Sequence, residues 1–223
     1  MKFLLDIFEK NEPLFEGKGK YVKLYPMYEA IYTFLFSNKL VAKGRVHVRD
    51  FLDTKRYMTI VLIALKPCLL FGIYNAGYQS HLAGGLSLEF MAVFITGLKL
   101  VLPLIIVSYG VGLTIEFLSC VIRGHEVNEG FLVTGLLYPL TLPATIPLWQ
   151  AAVGIAFGVI VGKEVFGGSG RNFLNPALTA RCFVFFAYPA YISGDSVWTA
   201  VTVAKDKVVD GFSGATALAV AAA

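Results

Sequence analysis

The densest group of reactive side chains in this sequence is Asp210-Gly211-Phe212-Ser213-Gly214-Ala215-Thr216. A carboxylate and two hydroxyls stand among glycines that let backbone come close to a ligand phosphate. Asp210 or Ser213 also has the side chain to cap a helix opening into the Ala-rich stretch that follows. A second reactive position is Glu116, placed after Gly110 and Gly112 in the apolar run YGVGLTIEF. A carboxylate inside a membrane segment marks an ion or proton path by default. The alternative is a site close to the interface, seven residues before Arg123, where it would be merely solvated. Lys163-Glu164, beside a Gly-Gly turn, reads as a pair at the membrane interface. His47, His81 and His125 lack metal-ligand spacing, so no metal site is expected. Cys68, Cys120 and Cys182 form no CxxC, fall in apolar runs and read as buried, inert thiols.

The elements that must position these groups are membrane helices. Hydrophobic residues make up 57% of the 223 residues and charged ones 15%, and the apolar residues cluster into runs of about spanning length. The expected fold is an all-α, polytopic integral membrane helical bundle with a Pro-broken span. Residues 1–56 read as a basic cytoplasmic segment, 57–190 as a transmembrane region of about five apolar segments, and 191–223 as an extracytoplasmic loop. Phe3, Leu4, Ile7 and Phe8 would share one face of a short helix, lying on the membrane or on a partner. The first span is expected over Tyr57–Gly77, with Lys66-Pro67 in its middle, and residues 78–87 are expected as a loop. Leu88–Ile122, about 50 Å as a helix and long for a hydrocarbon core of about 30 Å, is read as one tilted, kinked crossing with an interfacial start and a junction at Lys99 and Pro103; two very short spans are the alternative. Phe131–Trp149 holds Pro139, Pro143 and Pro147. That density breaks helical hydrogen bonding, so the stretch must be buried in protein or line a cavity. Gln150–Phe166 gives a further span with small residues for close packing. Gly167–Asn172 reads as a turn, and Ala177–Tyr188 as a short apolar segment.

Ten of the 19 lysines and arginines lie between Lys10 and Arg56. The positive-inside rule therefore places the N-terminal segment, residues 123–130 and residues 163–181 in the cytoplasm, and residues 190–223 outside. The basic residues flank membrane segments, and no nucleic-acid partner is expected. No secretory signal is read at the N-terminus.

Several stretches resemble a known family. The order Ser-Gly-Ala-Thr after Asp210 looks like the flavin-attachment motif of the NqrB/RnfD family, whose members are membrane subunits of the sodium-translocating NADH:quinone reductase and of the Rnf ferredoxin:NAD complex. HEVNEGFLVT (His125–Thr134), LPATIPLWQ (Leu142–Gln150), KEVFGGSGRNFLNPALTAR (Lys163–Arg181) and the continuation FFAYPAYISGDSVWTA resemble the sodium-pump branch, as does the long basic segment with HVRD (His47–Asp50). The resemblance implies FMN held through a phosphoester on Thr216, with Ser213, Gly214, Ala215 and Asp210 around it, added by a flavin transferase. It implies electron passage from NADH through FMN and a riboflavin to quinone, coupled to Na+ export, with sister subunits as partners in the bacterial cytoplasmic membrane. It associates Glu116 with sodium transport, and Gly110 and Gly112 with a quinone pocket. The family's sodium-pump member is longer than this chain, so the sequence reads as a truncated form with an insertion between Trp198 and Asp210. Two alternatives stand beside this reading: an Rnf-type relative, and a membrane scaffold or transport module without flavin.

Overall fold

In a computed structural model, residues 2–15, 19, 21–36, 54–123, 130–193, 197 and 199–200 are described. Among them the chain forms seven α-helices, three short 3-10 turns and no strand: α1 (Lys2–Phe15), α2 (Tyr25–Leu35), α3 (Thr54–Gly84), α4 (Phe90–Arg123), α5 (Gly130–Leu140), α6 (Leu148–Gly162) and α7 (Pro176–Ala187). Helices α3, α4 and α6, the last extended through Phe166, are long and apolar enough to cross a membrane by length and composition. Their outward faces carry Leu70, Phe71, Met91, Ile106 and Ile122, all largely exposed. Such a surface suits lipid and not water. The architecture is the expected all-α polytopic membrane bundle.

Helices α1 and α2 form a small hairpin before the bundle. Phe8 packs against Tyr28, Tyr32 and Phe36, and the Tyr28 hydroxyl donates to the Phe8 carbonyl at 2.8 Å.

The first span runs further than the sequence indicates. Helix α3 continues through 78–84, read above as loop, and only residues 85–89 connect it to α4. Ser80 and His81 are buried there, and the histidine is satisfied: His81 Nδ1 donates to the Ser87 carbonyl at 2.7 Å, and Nε2 meets Thr96 Oγ1 at 2.8 Å. A hydrogen-bonded histidine costs little inside a helix contact, and the loop-like composition misleads for that reason. Lower down, α3 and α4 touch backbone to backbone. A Cβ on Gly77 would strike the Val93 carbonyl, and one on Gly97 would strike the Ile73 carbonyl. Small residues permit this approach.

Residues 90–123 form one helix, the single crossing expected. Its buried residues are Val93, Gly97, Val101, Leu104, Ser108, Gly112, Glu116 and Cys120. Six of these steps are four residues and one is three, so at about 100° per residue the stripe slides about half a turn around α4. Its first half faces α3. Its second half faces α5 and the end of α6.

The Pro-rich stretch is broken as expected. Helix α5 stops at Leu140, residues 141–147 are irregular, and α6 begins after Pro147. Leu142, Pro143 and Ile146 are buried, so the irregular backbone is covered by protein. Helices α5, α6 and α7 meet where the Tyr138 hydroxyl donates to the Ala151 carbonyl at 3.1 Å and Val184 packs against Gly154.

Cys120 is buried as expected, but Cys68 and Cys182 are exposed on their helices. A membrane helix is apolar on its lipid face too, so apolar neighbours in sequence do not imply burial.

Candidate functional site

The end of α4 and the end of α6 bring four charges together. Glu116 is 1% exposed, Lys163 4% and Glu164 5%. Lys163 Nζ donates to Glu116 Oε1 at 2.5 Å, and Arg123 Nη1 donates to Glu164 Oε2 at 3.3 Å. Cys120, one turn beyond Glu116, lies within electrostatic reach of all four. Lys163 and Glu164 are adjacent in sequence, yet each pairs with α4 and not with the other. The reason is local: α6 ends at Gly162, and the 3-10 turn Glu164–Phe166 points the two side chains along different directions. Gly167 and Gly168, with φ of 107° and 91°, then reverse the chain in a conformation only glycine adopts freely. Glu116 is thus not a solvated interface carboxylate. It is a buried carboxylate with a buried ammonium on it.

The glycines before Glu116 differ in placement. Gly112 is on the buried stripe, and a Cβ there would fall within the Phe131 ring. Gly110 is exposed, with nothing within 4 Å of a Cβ.

Lys163 also lines a cleft of about 410 Å³ shared with Thr134, Ser169, Gly170, Asn172 and Asn175. Asn175 caps α7, accepting from the Ala177 and Leu178 N–H groups at 3.0 and 3.4 Å, and Pro176 follows at the first helical position. Phe173 and Leu174 stay outside the helix. With 12 residues α7 is about 18 Å long, short of the hydrocarbon core.

At the opposite end of these helices, the Thr145 hydroxyl donates to the Val197 carbonyl at 2.5 Å, and Trp149 packs edge-on against Tyr188. The first contact fastens Val197, near the start of the 191–223 segment, to the break between α5 and α6, and the second ties the end of α7 to the start of α6. Arg181 belongs to this end too. Its guanidinium donates to the Thr141 carbonyl at 2.7 Å, so it serves the broken backbone and does not sit with Lys163 as the charge bias indicates. Asp210, Ser213, Gly214, Ala215 and Thr216 lie outside the described residues, as do His47, His125, Trp198 and the expected insertion before Asp210. Among the described residues no group of three or more metal-ligating side chains occurs.

Fold and site together define a multi-pass membrane protein with a broken helix and a buried, charge-paired carboxylate in its core. The profile of the NQR2, RnfD, RnfE family matches residues 41–223. The chain belongs to that family. It is 49% identical to the B-subunit of the Na(+)-translocating NADH-quinone reductase of Chromohalobacter salexigens, over 96% of this chain and 55% of that protein. The corresponding B-subunits of Haemophilus influenzae and Pseudomonas aeruginosa are 48% and 45% identical, over 96% and 99% of this chain and 57% and 58% of theirs. The chain thus spans a little over half the length of these relatives.

Proposed function

We propose that this chain is the flavin-carrying membrane component of a redox-driven sodium pump, the B-subunit of a Na+-translocating NADH:quinone reductase. The observation that carries this reading is the 45–49% identity, along 96% or more of the chain, to proteins bearing that name. The same relatives favour it over the Rnf-type reading. The chain sits in the bacterial cytoplasmic membrane with residues 1–56 inside and residues 191–223 outside.

FMN joined through Thr216 supplies one- and two-electron redox chemistry when bound. Ser213, Gly214, Ala215 and Asp210 frame the attachment point, and the Thr145–Val197 bond supports the reading by fastening the segment that leads to it. Glu116 is the carboxylate of the ion path, and Gly112 sets the packing beside it. The partners are the sister subunits, quinone, Na+ and a flavin transferase, with riboflavin in the full-length protein. The chain's own part is to hold the cofactor loop, keep water from the core and present a carboxylate at membrane depth.

The test is covalent flavin. The chain is produced together with a flavin transferase, beside a Thr216→Ala control, and read by intact mass and in-gel fluorescence. Added FMN mass and fluorescence, both lost in the control, are expected. A folded, flavin-free chain beside an active transferase sinks the reading.

A further inference from the structure

The four charges at the ends of α4 and α6 sum to zero: Glu116 and Glu164 against Lys163 and Arg123. A buried carboxylate that is to take up a cation cannot do so while an ammonium occupies it, because the cluster would then carry net positive charge in a poorly solvated place. The ammonium has somewhere to go. Lys163 lines a cleft shared with Thr134, Asn172 and Asn175. Lysine suits such a role, being a point charge on a flexible stem, whereas arginine holds carboxylates through a rigid fork.

We propose that Lys163 is a displaceable internal counter-ion of Glu116: its ammonium occupies the carboxylate's cation position, and a transported monovalent cation binds there only when the ammonium swings into the adjacent cleft. Lys163 is in these terms a positioning residue, acting on the cation through Glu116. The inference rests on the sodium-pump reading above. It adds a competition between a tethered and a free cation for one carboxylate.

The experiment uses the complete reductase complex and measures NADH-driven quinone reduction against Na+ concentration. Lys163→Met removes the competing charge, and the Na+ concentration for half-maximal turnover falls at least fivefold. Lys163→Arg keeps the charge but holds the carboxylate through its rigid fork, so that concentration rises at least twofold above wild type. A role in packing alone would lower turnover at every Na+ concentration without moving the half-maximal point, and that result overturns the proposal. A wild-type measurement covers the case in which Lys163→Met does not assemble. Modification of Lys163 by a small amine-reactive reagent, read by peptide mass, rises with Na+ and not with K+; a flat response overturns the proposal as well. Wild-type turnover indifferent to Na+ would sink the sodium-pump reading and this inference together. Na+-dependent wild type with an unmoved Lys163→Met sinks only the inference.

Discussion

The Ser108 hydroxyl donates to the Gly135 carbonyl at 2.9 Å, and that carbonyl is the one Pro139, four residues on, leaves without its helical N–H donor. A side chain of α4 thus completes the backbone of α5 where proline has opened it. Helix-breaking residues are tolerated in membranes on this condition.

Ser108→Ala is expected to destabilise the bundle by about 1–2 kcal/mol, since it orphans a buried carbonyl. In a Pro139→Ala background, where residue 139 regains an N–H, the same change should have a smaller effect. A double-mutant cycle on denaturant or SDS unfolding measures the difference. Equal effects in both backgrounds would count against the pairing.

Gly112→Ala and Gly110→Ala should differ sharply. A Cβ at 112 enters the Phe131 ring and one at 110 meets open space. The first should lower stability by about 1–3 kcal/mol through overpacking, and Phe131→Leu should relieve it. The second should leave unfolding within about 0.5 kcal/mol of wild type. Thermal unfolding in detergent gives the comparison, and equal behaviour of the two would refute it.

Gly77→Ala and Gly97→Ala each drive a methyl against the opposing helix's carbonyl. Backbone must move to admit it, so loss of folded, protease-resistant protein is expected from either, well beyond the effect of alanine at the exposed Gly110, where a Cβ meets open space. Limited proteolysis in membranes separates these cases.

Glu116→Gln or Lys163→Met alone leaves one buried charge unpaired, and each is expected to cost about 3–5 kcal/mol. Combined, they remove both charges, and the double variant should unfold nearer to wild type than either single one. Strict additivity in the cycle would mean the two groups are not coupled.

Much of this architecture is legible in the residues themselves. The continuity of α4 follows from a long apolar run that only isolated polar residues such as Lys99 and Glu116 interrupt, and the interruption after Leu140 follows from three prolines in nine residues. The end of α3 is not legible, because Ser80 and His81 look like loop residues until Thr96 and Ser87 are seen to satisfy the histidine. The Glu116–Lys163 pair is hidden more deeply. Its members are 47 residues apart, and Lys163 has an acidic neighbour in sequence that offers a nearer but wrong partner. Only the return of the chain through α5, antiparallel to α4, lets α6 run parallel to α4 and bring their ends together. A bias toward burial at every fourth position of α4 does put Gly112, Glu116 and Cys120 on one face, and that signal was available.

The wide separation of Glu116 and Lys163 along the chain has a consequence for biosynthesis. The ribosome finishes α4 before it has made the ammonium that neutralises its carboxylate, and at about 5–20 residues per second the interval is roughly 2–10 seconds. During that time Glu116 is without the ammonium that pairs with it in the folded chain. Closing this pair therefore cannot precede the synthesis of α6, which makes it a late event in maturation.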